Sequence, residues 1–350
     1  MSLRDPPILD GPPDEIRTET QLMKLATVLT PASAENLQLA VQCGVTDFVT
    51  RHYGPDPAPL IAVKQEVESF GLTLSVIEGY LPIEKIKTGT DHDGAELAEL
   101  KDLIRLMGEL GIPILCYNFM AGTDWVRTKL DVPERGGAKV TQFDLATVEQ
   151  AVLLGHDGAG THESTDDGDT AGLTHEKLWA NLERLLNEIV PVAEEAGVLL
   201  SMHPDDPPLH ELLGRPRIMN SVENFERLLQ LVPSPNNGIC FCQGTFAEMG
   251  ANIPDAIRRL GSHINYVHFR DVTGTAESFT ETFHDNGKTD MAAAVRAYRE
   301  VGFTGPIRPD HVPQLVGEDD GEPGYTMLGR LYAYGYMKGL LQATEFVNKT

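Results

Sequence analysis

The chain has 350 residues, of which 41% are hydrophobic, enough for a sizeable core in one domain with insertions. Its net charge is −24 and it shows no basic stripe, so we expect no nucleic-acid partner. No apolar run approaches the roughly 20 residues that span a bilayer. Residues 1–19 carry no apolar signal core, so we expect a cytoplasmic protein without a membrane partner. A salt-adapted source is one hypothesis for the acidic excess.

A repeated pattern runs along the chain: a helical segment, then glycine, then a short apolar run. Each glycine predicts a helix end with positive φ, followed by a buried strand. Helices are expected at Ala95–Leu110, Thr174–Ala196 and Asp290–Val301. Eight β/α units in about residues 20–345 predict an α/β protein, a closed (β/α)8 TIM barrel rather than an open sheet. The predicted strands are Leu25–Val28, Phe48–Val49, Leu74–Ile77, Ile114–Tyr117, Leu199–Met202, Gly238–Phe241, Ile264–Val267 and Pro306–Ile307.

One stretch, Ala121–Gly172, does not fit this pattern, because it is long, polar and rich in Gly, Asp and Thr. Loops of this length in a compact domain are usually lids or binding insertions. It follows the fourth predicted strand, on the side where barrel active sites form. We therefore expect an insertion or lid over the mouth. Its Asp166–Asp169 tract lacks EF-hand spacing and is expected to be a solvated turn rather than a calcium loop.

The four cysteines are expected to be free thiols or metal ligands rather than disulfides. Cys240 and Cys242 are too close in sequence for an easy disulfide. On a strand they would lie on one face, because side chains alternate with a period of two.

Side chains that can bind a metal follow four consecutive predicted strands, where the carboxyl ends of the strands converge in a barrel. They are His203, Cys242, His268 and Asp310. Alone, such a histidine is more often a core residue, such a cysteine a small buried hydrophobe and such an aspartate a turn residue. Four at successive strand ends indicate one divalent metal, with zinc, iron(II) and manganese(II) all compatible.

Several longer segments resemble the mannonate dehydratase family, metal-dependent enzymes of the xylose-isomerase-like barrels. The matching segments are Cys116–Met120, Asp124–Thr128, His203–Pro208, Cys242–Gly244, His268–Arg270, Arg308–His311 and Pro323–Tyr325. The resemblance implies dehydration of D-mannonate to 2-keto-3-deoxy-D-gluconate in hexuronate catabolism. It also implies a divalent metal, Mn²⁺ before Fe²⁺ or Zn²⁺.

The resemblance further implies that His311 and Tyr325 are catalytic, without deciding which is the acid and which the base. Asn118 is expected to hydrogen-bond substrate hydroxyls. Arg270 and Arg308 are expected to bind the substrate carboxylate, because arginine binds carboxylates in a bidentate manner. A structural salt bridge is the alternative for each arginine.

Two other functions remain open at this point. One is a metal-dependent sugar isomerase or epimerase on the same barrel, although such sites favour carboxylate-rich ligand sets. The other is a sugar-acid-binding barrel without catalysis. The expected partners are a small sugar acid and a second copy of the chain in a homo-oligomer, a dimer.

Overall fold

The computed structural model describes residues 23–153, 170 and 172–347. Eight parallel strands close into a barrel, which confirms the predicted fold, and they follow one another around it in chain order. The barrel strands are β1 (Lys24–Thr27), β2 (Asp47–Thr50), β3 (Thr73–Glu78), β4 (Ile114–Tyr117), β9 (Leu199–Met202), β12 (Asn237–Cys242), β13 (Ile264–Phe269) and β16 (Pro306–Pro309). All eight predicted strands overlap these elements.

Helices cover the outside of the barrel. They are α1 (Ala34–Gln42), α2 (Pro57–Ser69), α3 (Glu84–Thr88), α4 (Ala95–Leu110), α5 (His175–Ala196), α6 (Val222–Leu231), α7 (Gln243–Glu248), α8 (Ile253–Leu260), α9 (Met291–Glu300) and α10 (Met327–Val347). Within the described residues, no helix is both long and apolar enough to cross a membrane.

Local sequence signals explain where these helices begin and end. The Thr174 hydroxyl accepts a hydrogen bond from the Lys177 amide at the start of α5, and Asp290 caps α9 in the same way. The predicted glycines at residues 44, 71, 111, 197 and 302 all have positive φ, between 68° and 86°. Each helix can therefore turn directly into the next strand.

The core has two parts. A large apolar cluster fills the space between the barrel and its helices. A smaller one fills the barrel interior with Val49, Val76, Ile114, Cys116 and Cys240 among its members. Inward-facing side chains near the carboxyl ends of the strands are polar instead, so the interior changes from an apolar base to a charged mouth.

The predicted insertion is more regular than a loop. It contains β5 (Val126–Arg127), β6 (Lys129–Pro133), β7 (Lys139–Asp144) and β8 (Val152–Leu153). β6 and β7 join β14 (Val272–Thr275) and β15 (Ser278–Glu281) in a four-stranded antiparallel sheet of order β14-β15-β7-β6, which we call the mouth sheet. A separate pair is β10 (Glu211–Leu212) and β11 (Arg215–Pro216). The Asp166–Asp169 tract lies outside the described residues.

Candidate active site

Four strand ends bring the predicted metal-binding side chains to one point. The Nε2 atom of His203 lies 3.2 Å from Nδ1 of His268. That Nδ1 lies 3.7 Å from Oδ2 of Asp310, and the same carboxylate oxygen lies 4.0 Å from Sγ of Cys242. Ligand atoms of His203, Cys242 and His268 all lie within 4.8 Å of one another. We call these four residues the outer donor group.

Neighbouring groups orient both imidazoles. Nδ1 of His203 lies 2.7 Å from the carbonyl oxygen of Pro204, so the N–H donates there and the lone pair of Nε2 faces the group. Nε2 of His268 lies 3.3 Å from the Glu78 carboxylate, whose negative charge favours a proton on Nε2 and a lone pair on Nδ1. Two ligands each ~2.1 Å from one ion stand roughly 3–3.5 Å apart. The donor types and the spacing of the two imidazoles therefore fit a divalent cation.

The Asp310 carboxylate is held in its charged form. Burial alone would raise its pKa, but Arg308 and the other positive groups around it bring the pKa well below the usual range. Arg308 Nη1 donates to Oδ1 at 2.6 Å, and Arg270 Nε lies 3.2 Å from Oδ2. A charged carboxylate is the form that binds metal ions.

His311 and Tyr325 lie beside this group, and the ring of Trp125 is close to both side chains. The His311 imidazole stacks on Trp125 with ring centroids 4.1 Å apart, and its centroid lies 5.7 Å from that of Tyr325. His311 has a φ of +40°, so the chain turns sharply after Asp310. The two adjacent side chains can therefore serve one site, as expected from the end of the strand.

A carboxylate that the sequence did not single out fixes the His311 ring. Nδ1 of His311 lies 2.8 Å from Oε1 of Glu281, on β15 of the mouth sheet. The N–H at Nδ1 donates to this carboxylate and leaves Nε2 for proton exchange. Burial would raise the pKa of Glu281, but Arg270 and His311 outweigh that effect and the pKa is lowered.

The structure does not place Arg270 as a substrate ligand. Its guanidinium is buried, donates to Asp206 (2.9 Å) and Glu248 (2.9 Å), and pairs with Glu281 (3.2 Å). Arg270 does not line the cavity at the barrel mouth. These contacts favour the salt-bridge alternative for Arg270, because carboxylates from three separate segments already surround the side chain. Arg127 joins the same cluster by donating to Asp206 (2.6 Å) and Glu281 (2.5 Å).

Arg308 lines the cavity, but its donors are also taken. Besides Asp310, it donates to Glu78 (2.8 Å) and to the hydroxyl of Tyr266 (2.5 Å). Its position favours the salt-bridge alternative over a free carboxylate ligand. Asn118 also lines the cavity, and its side-chain oxygen accepts a hydrogen bond from Lys87 at 3.0 Å.

Arg51 and Glu78 are cavity residues that the sequence reasoning missed. Arg51 follows β2 and Glu78 ends β3, so both stand at carboxyl ends of barrel strands. The signal that identified the outer donor group would have found them if it had been applied to the earlier strands as well. The Arg51 side chain is 24% exposed, and its Nη1 lies 3.8 Å from the Glu78 carboxylate. Because Glu78 offsets the cost of burial, the pKa of Arg51 is raised and the guanidinium stays charged.

These residues surround a small cavity that opens at the barrel mouth. Its lining combines a charged floor with aromatic walls. The residues that carry its chemistry are Arg51, Glu78, Asn118, Trp125, His203, His268, Arg308, Asp310, His311 and Tyr325. The arrangement can hold a cation and a small anionic polyol beside a histidine that is set up for proton transfer.

Comparison with known proteins agrees with this chemistry. The family model for D-mannonate dehydratase (UxuA) matches residues 36–350. A mannonate dehydratase of Oceanobacillus iheyensis is 37% identical over 297 residues, which cover 81% of this chain and 84% of that protein.

Solved structures give the same result. The crystal structure of mannonate dehydratase from Streptococcus suis serotype 2 superposes with a TM-score of 0.84 at 32% identity, over 94% of this chain and 95% of that one. A xylose isomerase domain protein from Planctomyces limnophilus superposes with a TM-score of 0.57 at 14% identity, over 92% and 97% of the two chains. The second likeness shows a shared fold alone.

Proposed function

The chain belongs to the D-mannonate dehydratase family, a family of sugar-acid dehydratases, and we propose that it converts D-mannonate to 2-keto-3-deoxy-D-gluconate and water. The observation that carries this proposal is the outer donor group beside His311 in one cavity. A hydro-lyase acting on an aldonate needs charge stabilisation and a proton-transfer group at the same point.

We propose that His203, Cys242, His268 and Asp310 hold Mn²⁺, with Fe²⁺ and Zn²⁺ as alternatives. When a divalent cation is bound, it supplies Lewis-acid stabilisation of the negative charge that develops on substrate oxygens. The thiol and the imidazoles also suit Zn²⁺ and Fe²⁺, whereas the carboxylate suits Mn²⁺. Reconstitution of metal-stripped protein with each ion, scored by turnover, decides among them.

We assign proton removal at C2 of the substrate to Nε2 of His311. Glu281 fixes the ring through Nδ1, in the way that a carboxylate orients the histidine of a catalytic triad. Trp125 covers one face of the ring and limits the approach of water from that side.

The Tyr325 hydroxyl is assigned to the departing hydroxyl at C3. Burial, together with the nearby Asp310 carboxylate, raises the pKa of Tyr325 above that of an exposed tyrosine. The side chain therefore remains a neutral phenol near neutral pH and can donate a hydrogen bond or a proton. C2 loses its proton, C3 loses its hydroxyl as water, and the resulting enol becomes the 2-keto-3-deoxy acid.

Arg51 is our proposed partner for the substrate carboxylate, in place of Arg270. It is charged, it lines the cavity, and its side chain is more exposed than those of Arg270 and Arg308, which are almost fully buried. Arg51 and His311 both line the cavity and Arg270 does not, so a substrate carboxylate bound by Arg51 would be kept away from the buried carboxylates around Arg270.

The isomerase or epimerase alternative has less support. The relatives with the higher identity are dehydratases, and the likeness to the xylose isomerase domain protein concerns the fold alone. The test is a panel of C6 aldonates and aldoses incubated with metal-stripped protein, with and without Mn²⁺. We expect metal-dependent formation of a 2-keto-3-deoxy acid from mannonate. Interconversion of aldoses and ketoses without that product would overturn the proposal.

A further inference from the structure

A second group of metal-binding side chains lies in the barrel interior, below the outer donor group. Cys116 on β4, Cys240 on β12 and His268 on β13 offer ligand atoms that all lie within 4.8 Å of one another. All three side chains are buried. Cys240 precedes Cys242 by two residues on the same strand, so its thiol faces the same side one layer deeper, as the sequence predicted. We call Cys116, Cys240 and His268 the inner thiol group.

Buried polar atoms in this layer lack hydrogen-bond partners. Among the described residues, neither Nε2 of His268 nor Oγ of Ser201 has one. The contact of Nε2 with Glu78, at 3.3 Å, is an ion-pair distance without hydrogen-bond geometry. Ser201 stands opposite Cys116 in the register of β4 and β9, so it belongs to the same layer. Unpartnered buried polar atoms are uncommon, and an absent ion is one recognised reason for them.

We propose that the inner thiol group is a second metal site, which binds a thiophilic cation such as Zn²⁺ or Cd²⁺. Two thiols and one imidazole form a softer donor set than the outer group, which has one thiol and a carboxylate. Cys116 lines the cavity, so an ion in the cavity can reach the site. Both thiols lose their protons on binding, as thiolate ligands do. The Glu78 carboxylate borders the site and supplies a further negative charge.

His268 belongs to both groups, and this gives the inner site a functional consequence. A neutral imidazole carries one proton and offers one lone pair at a time. An ion that takes Nε2 moves the proton to Nδ1, the atom that faces His203 and Asp310. Occupation of the inner site therefore weakens the outer donor group, and thiophilic cations inhibit the enzyme.

Cadmium titration tests the site directly, because cadmium–thiolate bonds absorb in the ultraviolet in proportion to the number of thiolates bound. In metal-stripped protein we expect at least two coordinated thiolates per chain, those of Cys116 and Cys240, and a third from Cys242 at cadmium concentrations that also fill the weakened outer donor group. The Cys116→Ser/Cys240→Ser double variant should retain only the one from Cys242. Cys43→Ser is the matched control, because this thiol lies at the end of α1 outside the barrel, and it should leave the absorbance unchanged.

A second readout is zinc inhibition of the manganese-loaded enzyme, normalised to each variant's own activity. Zinc can displace manganese from the outer donor group in every variant. If zinc inhibits the double variant less than it inhibits Cys43→Ser, the additional inhibition in Cys43→Ser comes from the inner site. Equal cadmium absorbance in the double variant and the control would overturn the proposal. If the double variant does not fold, the cadmium absorbance of Cys43→Ser is the deciding measurement. Absorbance from two or more thiolates per chain supports the inner site, and absorbance from a single thiolate excludes it.

Discussion

At the scale of single residues, Cys240 and Cys242 have different neighbours despite their shared strand. The thiol of Cys242 lies 4.0 Å from Asp310 and accepts a hydrogen bond from Thr245 at 3.1 Å, whereas the thiol of Cys240 is grouped with Cys116 and His268. We predict that Cys242→Ser weakens Mn²⁺ binding by at least about tenfold, because a serine oxygen is a poor substitute for a thiolate. Cys240→Ser is the matched control and should retain Mn²⁺. Metal content after dialysis measures both, and equal loss would mean that Cys242 is not the ligand.

His311 tests catalysis apart from metal binding. His311→Asn keeps a polar side chain of similar reach but cannot exchange a proton near neutral pH. We predict normal folding, retained Mn²⁺ and a fall in kcat for mannonate of roughly a hundredfold or more. The measurements are circular dichroism, metal content and product formation. Substantial activity in a folded, metal-loaded variant would remove His311 from the mechanism and leave Tyr325 as the main proton-transfer group.

Arg51 tests the assignment of the substrate carboxylate. Lysine keeps the charge but cannot form the paired contacts of a guanidinium. We therefore expect Arg51→Lys to raise KM for mannonate by roughly tenfold, with a smaller effect on kcat, since a lost carboxylate contact costs on the order of 1–2 kcal/mol. Arg105→Lys, on the exposed surface of α4, is the control. A kcat effect with unchanged KM would argue that Arg51 acts on the reacting atoms instead.

One physical reason explains which site residues could be predicted from the sequence and which could not. Strand ends in a closed barrel converge by geometry, so the outer donor group could be predicted without knowing any contact. The role of Arg270 could not, because its partners Asp206, Glu248 and Glu281 lie on three separate segments, 64, 22 and 11 residues away in sequence. An arginine near the barrel mouth can bind either the substrate or neighbouring carboxylates, and the sequence alone does not distinguish these two roles.

At the scale of elements, the mouth sheet links the predicted insertion to the chemistry. β7 pairs with β15, which places Phe143 opposite Phe279 with ring centroids 5.8 Å apart. The same strand, β15, carries Glu281 to His311. The stretch looked like a polar loop because its strands are short and because β7 pairs with β15, more than 130 residues further along the chain. A pairing of that separation leaves no local periodic signal.

We predict that Phe143→Ala loosens this sheet and slows the reaction. The side chain is fully buried, and such truncations typically cost about 3–5 kcal/mol of unfolding free energy. Because Glu281 depends on the register of β15, kcat should fall while the outer donor group still binds Mn²⁺. Leu145→Ala, at an exposed position just after β7, is the control and should change neither property. Urea denaturation and turnover measure the two effects, and unchanged kcat in a destabilised variant would separate the sheet from catalysis.

At the scale of the whole molecule, the acidic composition does not reveal how many arginines are buried beside the buried carboxylates. The chain has only 28 basic residues, yet Arg127, Arg217, Arg270, Arg308 and Arg330 are among its largest fully buried side chains. Several of them neutralise carboxylates around the site, and buried charges need such partners. The net charge therefore informs about the surface of the molecule and not about its buried ion pairs. The barrel could be predicted because its eight β/α units each leave a local pattern in the sequence.

The pH dependence of global stability provides a test that involves the whole fold. His284 is buried next to Phe269, and among the described residues neither of its ring nitrogens has a hydrogen-bond partner. Burial lowers its pKa from 6.5 to about 4. Above pH 6.5 the imidazole is neutral in both the folded and the unfolded chain, so it adds no pH dependence. As the pH falls from 6.5 towards 4, His284 becomes protonated in the unfolded chain but stays neutral in the folded chain.

The free energy of unfolding therefore falls between pH 6.5 and 4, by on the order of 3 kcal/mol from His284 alone. Glu78, Glu281 and Asp310 have lowered pKa values, so their contribution is lost below the ordinary carboxylate range, at pH values under about 4.5. Other buried carboxylates, among them Asp205 and Glu248, have raised pKa values, so between pH 6.5 and 4.5 the histidine effect is read as the difference in slope between wild type and His284→Gln. We predict that His284→Gln flattens the fall in unfolding free energy in this interval, measured by urea denaturation, whereas the exposed His92→Gln control keeps the wild-type slope. An identical slope in wild type and His284→Gln would mean that the folded chain accepts a proton at His284 as readily as the unfolded chain does.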